Sequence, residues 1–296
     1  LNDDVFFDKS KNLVISVDTY VNGTHFFDFK KPELVVKKII RSSISDLICK
    51  GVKPKYYFIS GSGNRKYFTS LNLSKISKSL KEEQQKYKIF LCGGDTIQSK
   101  ELSFTITSIG FSKKIIKRNK AKLNDDIYVT GNLGDSYTGL EILRGKIKVN
   151  KNLKNYFIDS YYLPKLHLKL ADKLHSFANT SLDISDGLIA DLEKLINKQK
   201  FSFKLYLENI PISKNLKILL SDKRKKKIDF VSCGDDYQIL FTANKKKSRI
   251  IKQISKILGI KISKIGKIIS GKNRSKIINL KNKQIEAKNK GYIHQF

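Results

Sequence analysis

The sequence predicts an α/β (α+β) chain of two domains, and three observations carry that reading. Segments with strand and helix periodicity intermix in both halves of the chain. A strongly basic stretch, residues 113–124, interrupts them near the middle. The 296 residues are 40% hydrophobic, enough apolar material for one or two packed cores, and the length suits about two domains. The boundary is placed at the basic stretch, which gives residues 1–115 and 116–296.

In chain order, residues 13–21 (Leu-Val-Ile-Ser-Val-Asp-Thr-Tyr-Val) read as a buried strand ending in polar groups. Pro32 opens an amphipathic helix with Val35, Val36, Ile39, Ile40, Ile44 and Leu47 at helical spacing, and Gly51 stops it. Asp46 falls in the last turn of that helix, where the dipole disfavours a carboxylate, and a misplaced charge points to a task. Residues 56–60 are a strand followed by a Gly/Ser/Asn loop at 61–64. Residues 71–87 form a lysine-rich helix, and 88–92 a strand running into Gly93-Gly94-Asp95-Thr96. Residues 102–111 alternate as a half-buried strand. Beyond the basic stretch, strand 127–130 leads into Gly131-Asn132-Leu133-Gly134 and a helix at 136–143. Residues 153–174 are helical with a break at Pro164. Ser181 to Gly187 opens a helix at 188–197, and 203–207 is a strand. Residues 230–233 lead into Gly234-Asp235-Asp236-Tyr237, with a strand at 237–241. A helix at 250–258 precedes two strands, 260–269 and 276–285, joined by a Gly-containing turn. No fixed-period repeat is visible.

Composition excludes several function classes. No apolar run approaches the roughly 20 residues that span a bilayer, and the N-terminus is not a signal peptide. Cys49, Cys92 and Cys233 are widely spaced and odd in number, which argues against a disulfide framework or a cysteine-built zinc site and for a reducing cytoplasm. The chain contains no Met, so an N-terminally incomplete sequence is expected. The net charge of +32 invites a nucleic-acid reading, but only seven of the 59 basic residues are Arg and the Lys is spread along the chain. Together with abundant Ile, Asn, Phe and Tyr, this is the signature of A/T-rich codons. The one dense run, Lys223 to Lys227, reads as a solvated loop or helix end.

The acidic residues are more informative, with 19 Asp against 8 Glu. Many Asp sit beside Gly, Ser or Thr at the ends of apolar runs: Asp3-Asp4, Asp18, Asp46, Asp95, Asp183, Asp186 and Asp235-Asp236. Short carboxylates on strand ends suit hard cations such as Mg²⁺, although Asp is also a common cap and turn residue. Gly93-Gly94-Asp95 combines close backbone approach with a metal-binding side chain. Gly131-Asn-Leu-Gly134 offers either a phosphate cradle or an ordinary tight turn. Capping explains one of Asp183, Ser185 and Asp186, but not all three. These residues point to a two-domain enzyme that works on a phosphate-bearing substrate with several Asp-bound Mg²⁺ ions, and phosphoryl transfer fits that chemistry.

The order of the motifs resembles the thiamine-monophosphate kinase family, within the superfamily of aminoimidazole ribonucleotide synthetase and selenophosphate synthetase. The matching segments are Asn2-Asp3-Asp4, Ile15-Ser-Val-Asp18-Thr with Gly23-Thr-His25-Phe26, Ser45-Asp46-Leu47 with Gly51-Val-Lys-Pro54, and Gly93-Gly-Asp95-Thr96. They continue with Arg118 and Asp126-Ile-Tyr-Val-Thr-Gly131, Asp183-Ile-Ser-Asp-Gly187-Leu, Gly234-Asp-Asp-Tyr237 and Gly291-Tyr292-Ile-His294. The resemblance implies a synthetase-like fold in which the N-terminal domain forms a barrel across a homodimer interface and a C-terminal α+β domain completes the site. It also implies direct transfer of the ATP γ-phosphate to thiamine monophosphate. Asp4, Ser16, Asp18, Asp46, Asp95, Asp183 and Asp186 would hold Mg²⁺, with Asp95 and Asp186 the catalytic pair. Gly94, Asp95, Arg118 and Ser185 would contact the nucleotide, and His25, Asp235 and Tyr292 the thiamine monophosphate. Tyr292 could stack on the cationic thiamine.

The chain departs from the family pattern at four places. Asn2 replaces Gly before the paired Asp. Val17 replaces Thr after the strand serine, removing a side-chain metal ligand. Asp235 replaces the longer Glu. Leu163-Pro164-Lys-Leu166-His167 lacks the Arg residues of the family's Arg-Pro-x-Pro-Arg. The family's short segment ahead of the paired Asp is also absent. Selenophosphate synthetase is the nearest alternative, but it would carry a reactive Cys or selenocysteine in a glycine-rich N-terminal stretch, which is not seen here. A basic nucleic-acid-binding protein would leave the Asp motifs without a reason.

Overall fold

The computed structural model describes residues 3–222 and 224–292; Asn2, Lys223, Ile293 and His294 lie outside the described residues. The first half builds one sheet from β1 (Phe6–Asp8), β2 (Leu13–Val21), β3 (Pro54–Gly63), β4 (Phe90–Gln98) and β5 (Ser103–Phe111), with helices α1 (Pro32–Cys49) and α2 (Ser70–Tyr87). The strand order is β1-β2-β5-β3-β4, antiparallel except for the parallel β3–β4 pair. Along β5, Phe104, Ile106, Ser108 and Gly110 alternate with less buried residues, as a sheet covered on one face requires. The other face carries Val17, Phe58 and Phe111, all exposed.

Helix α1 positions the site. Proline at its first turn has no N–H to leave unpaired, and Gly51 at φ +78° ends it. It is buried almost all round, because it lies between the first sheet and elements of the second half. Val35, Val36, Ile39, Ile40 and Ile44 are fully buried, and each such side chain contributes about 1.5–3 kcal/mol. Its polar residues are satisfied internally. Arg41 donates from Nε and Nη2 to the two carboxylate oxygens of Glu83 on α2, at 2.8 and 2.7 Å, a buried two-pronged pair that fixes the α1–α2 packing.

The second half comprises β6 (Asp126–Thr130), α3 (Asp135–Leu143), α4 (Lys151–Tyr162), α5 (Leu168–Leu174), β7 (Ala178–Asp183), α6 (Leu188–Ile196) and β8 (Phe201–Tyr206). It continues with α7 (Lys214–Leu219), α8 (Lys227–Val231), β9 (Ile239–Ala243), α9 (Ser248–Leu258), β10 (Ile262–Ser270), β11 (Lys276–Ile278) and β12 (Gln284–Ile285). Its sheet runs β12-β11-β8-β10-β6-β9-β7. Edge strand β7 contacts α1 and so joins the two halves.

The mixed α/β architecture follows the sequence reading, with informative differences. Gly93-Gly94-Asp95-Thr96 is not a turn but the middle of β4. A Cβ on Gly94 would sit 1.8 Å from the Ile59 carbonyl oxygen, so its glycine serves close approach to β3. Residues 61–63 likewise extend β3 instead of forming a loop. Strand β7 escaped notice because Ala-Asn-Thr-Ser-Leu-Asp is polar. The Thr180 hydroxyl donates to the Lys117 carbonyl at 2.8 Å and Ser181 to that of Cys49, so the strand is buried without penalty. The last predicted strand, 276–285, is in fact two short ones: β11, which runs parallel to β8, and β12, which pairs antiparallel with β11. Of the dense basic run, residues 224–226 lie ahead of α8, which begins at Lys227.

Candidate active site

A cavity of about 490 Å³ opens where α1, β2, the end of β7 and the 233–237 loop meet, a size that suits a small-molecule ligand. Asp18 from β2, Asp46 from α1 and Asp183 from the end of β7 line it together. Hydroxyls hold these carboxylates in place. Ser16 donates to Asp46 at 2.5 Å and Ser45 to Asp183 at 2.7 Å. Burial raises all three pKa values, to about 6 for Asp18 and about 7 for Asp183, with Asp46 pushed well above the usual carboxylate range. Neighbouring carboxylates add to the rise: Asp4 acts on all three, and Asp18 and Asp183 also act on Asp46. Loss of hydration is the leading cause for each group, and the neighbouring charges add to it.

The Asp183-Ile-Ser-Asp-Gly187 segment is tied down at both ends. Asp191 of α6 accepts hydrogen bonds from the Asp186 and Gly187 amides, each at 2.9 Å, and so caps its own helix. Asp186 therefore keeps its carboxylate for the cavity wall, where it pairs with Lys194. On the other side, the Asp235 amide donates to the Ser185 carbonyl and the Tyr237 amide to that of Ile184, both at 2.8 Å. Asp235 and Tyr237 adopt left-handed backbone angles, φ +67° and +49°, to make these bonds. The zipper fixes Asp235 relative to Asp183 and Asp186.

Asp235 faces the cavity with Lys38 Nζ 2.8 Å from its Oδ1, and the Tyr237 hydroxyl donates to the same oxygen at 3.1 Å. Lys38 is 1% exposed and lies 4.0 Å from the Tyr161 ring centroid. His25 lines the cavity, its Nδ1 accepting from the Val21 amide at 3.0 Å and its ring edge-on to Tyr20. Tyr292 reaches the wall because its amide donates to the Asp186 carbonyl at 2.9 Å.

Of the residues expected to form the site, Asp18, Asp46, Asp183, Ser185, Asp186, His25, Asp235 and Tyr292 are brought together here, with Ser16 behind Asp46. Four are not on the wall. Asp4 pairs with Lys50 at 2.6 Å and with Arg118 at 3.6 Å. Arg118 itself faces Asp3 and Asp4. Gly94 and Asp95 lie exposed on β4, across the sheet from β2. The Gly131–Gly134 turn holds no phosphate cradle, since Asp236 fills it: the Gly134 amide donates to both of its oxygens, at 3.1 and 2.9 Å. Among the described residues, no three His, Cys, Asp or Glu side chains converge on one point. The donor set nonetheless fits Mg²⁺, which is usually held by one or two carboxylates plus substrate phosphates instead of an all-protein cage.

Sequence reasoning missed Lys38, Ser42, Ser45, Lys50 and Asp191. A signal for three of them was present: Lys38, Ser42 and Ser45 recur at helical spacing with Asp46, a polar stripe beside the apolar positions of the helix. Lys50 leaves no such pattern, because its partners come from distant segments, and Asp191, whose partners Asp186 and Gly187 are local, reads as an ordinary polar residue of α6.

Comparison with known proteins agrees with this geometry. The family described as "AIR synthase related protein, N-terminal domain" matches residues 2–112. The thiamine-monophosphate kinase of Buchnera aphidicola subsp. Acyrthosiphon pisum is 34% identical over 291 residues, covering 97% of this chain and 88% of the relative. That of Buchnera aphidicola subsp. Schizaphis graminum is 36% identical over 295 residues, with the same coverage. A solved structure described as AaThiL complexed with AMPPCP and TMP superposes with a TM-score of 0.85 at 25% identity, covering 99% of this chain and 92% of that one. With the cavity carboxylates in place and near-complete coverage at these identities, this chain belongs to the thiamine-monophosphate kinase family.

Proposed function

We propose that the chain transfers the γ-phosphate of ATP to thiamine monophosphate in the 490 Å³ cavity, giving thiamine diphosphate and ADP. The observation that carries this is that Asp18, Asp46, Asp183 and Asp235 line one cavity, with the Asp183 segment fixed to Asp235 by the 184–237 zipper. Asp18, Asp46, Asp183 and Asp186, with the Ser16 region, are the residues that would hold Mg²⁺. When bound, it would neutralise the phosphate charges that otherwise keep ATP and a phosphate acceptor apart. The side chains then have clear tasks. Ser16 and Ser45 orient Asp46 and Asp183. Ser185 and Asp186, beside the backbone that carries Asp183, contact the nucleotide. Asp235, held by Lys38 and Tyr237, and His25 orient the acceptor, and Tyr292 covers its aromatic end. The reaction proceeds in line without a phosphoenzyme, and transfer is governed by positioning.

Kinetics on Asp235→Ala test the acceptor side. The Michaelis constant for thiamine monophosphate should rise about tenfold while that for ATP changes little. Equal effects on both, or none, would remove Asp235 from the acceptor site.

The same reading makes the working form a homodimer, with residues 1–115 supplying the dimerisation and ATP-binding domain and 116–296 completing the site. The open sheet face carries exposed Val17 and Phe58. β1 covers β2 only over Leu13–Ile15, so among the described residues no strand pairs with the rest of that edge or with the outer edge of β4. Joining these edges between two copies closes a barrel and hides both. It also carries Gly94 and Asp95 of the partner subunit towards the cavity beside β2. Mixing two inactive variants, Asp95→Asn and Asp46→Asn, should then restore activity, since one site of each mixed dimer is intact. About a quarter of the wild-type rate is expected after random exchange of subunits. No recovery in verified mixed dimers would place Asp95 in its own chain's site. The three free cysteines fit a reducing compartment, and the cytoplasm is the proposed location.

A further inference from the structure

The paired aspartates ahead of β1 have surroundings unlike those of the other site carboxylates. Lys50, which ends α1, is 0% exposed. Its ammonium donates to the Ser181 carbonyl at 2.8 Å and lies 2.7 Å from Asp3 Oδ1 and 2.6 Å from Asp4 Oδ2. The ammonium thus lies within contact distance of a carboxylate oxygen from each aspartate. Arg118 adds a second cation, 3.7 Å from Asp3 and 3.6 Å from Asp4. Two carboxylates thus face two cations, and the group is neutral. Asp18, Asp46 and Asp183 differ: among the described residues no ion pair reaches them, and the contacts holding them are hydroxyls.

An unpaired ammonium in the interior costs several kcal/mol, so a buried lysine is held charged only by close anions. Burial alone would lower the Lys50 pKa, but Asp4 and Asp3 overcome it and raise it. The position favours a cation further, since it lies at the C-terminal end of a helix. Ser181 is two residues before Asp183, so the ammonium also anchors the strand that carries a cavity carboxylate.

We infer that Lys50 is a built-in cation that fills, at Asp3 and Asp4, a position a divalent ion would otherwise take, so that this chain loads divalent ions at Asp18, Asp46 and Asp183 but none on Asp4. This rests on the Mg²⁺ reading given under the proposed function. It makes Lys50 a positioning residue for the N-terminal aspartates and gives Arg118 a structural partner in them.

The test is a count of Mn²⁺ bound per chain, read from the electron paramagnetic resonance of free Mn²⁺ with a non-hydrolysable ATP analogue present. Thermal unfolding confirms that each variant is folded. Wild type and Asp4→Asn should bind the same number of ions, and Asp46→Asn at least one fewer. Lys50→Met should bind one more, and adding Asp4→Asn to it should remove that ion. An Asp4→Asn chain that loses an ion as Asp46→Asn does overturns the inference, as does a folded Lys50→Met chain with no gain. If Lys50→Met does not fold, the comparison of Asp4→Asn with Asp46→Asn decides alone. A wild-type chain that binds no Mn²⁺ at all defeats the metal reading itself, and the inference with it.

Discussion

Asp46→Asn should lower kcat about a thousandfold while raising the melting temperature of the metal-free protein, two effects of opposite sign from one carboxylate. The loss follows from its place: Asp46 is buried on α1, lines the cavity with Asp18 and Asp183 as charged neighbours, and is aimed by Ser16. The gain in stability follows from the same facts. Burial first, then Asp18, Asp183 and Asp4, push its pKa well up, so the charged form is disfavoured without a cation. Asn keeps an acceptor for the Ser16 hydroxyl and removes the charge, which should stabilise by about 1 kcal/mol, or roughly 2–4 °C. Added Mg²⁺ should raise the melting temperature of wild type more than that of the variant. Calorimetry with and without Mg²⁺, beside steady-state kinetics, checks all of this. Unchanged kcat would remove Asp46 from the reaction, and a lower metal-free melting temperature would contradict the repulsion argument.

Gly234→Ala should cost both folding and activity. A Cβ there would meet the Ser185 carbonyl oxygen at 1.8 Å, a backbone atom that cannot move aside cheaply. That carbonyl accepts the Asp235 amide, so the added methyl opens the zipper joining the metal-side and acceptor-side carboxylates. We expect a loss of about 3 kcal/mol in stability and about a hundredfold in kcat/KM, since a 1 Å misplacement is enough for the latter. Gly145→Ala is the control. It has nothing within 4 Å of the new Cβ, and its φ of +75° should cost only about 1 kcal/mol with kcat/KM unchanged. Denaturant midpoints and kcat/KM for both variants give the comparison. A Gly234→Ala chain as stable and active as the control would show that the zipper does not hold the site.

How much of this was legible in the sequence depends on how local each signal is. Helix α1 and strands β2 and β5 were readable, because burial on one side imposes a period on the chain. The cavity Asp residues stood out because their short side chains sit beside Ser and Gly at the ends of apolar runs. Strand β7 was not readable, because Thr180 and Ser181 satisfy their hydroxyls on carbonyls of distant segments. The turn at Gly131–Gly134 left a phosphate cradle and a tight turn equally open because its filler, Asp236, lies 102 residues away. Lys50 shares that invisibility: a buried lysine reads as one more surface charge until the carboxylates around it are placed. Asp95 was legible as a candidate beside two glycines, but its place on exposed β4, away from the cavity, was not.

The most direct test of the account is product analysis. The purified chain is incubated with γ-labelled ATP, Mg²⁺ and thiamine monophosphate, and the label is followed. The account predicts thiamine diphosphate carrying the label, with ADP in equal amount. ADP without labelled thiamine diphosphate would contradict the proposed acceptor and leave only the nucleotide half of the site.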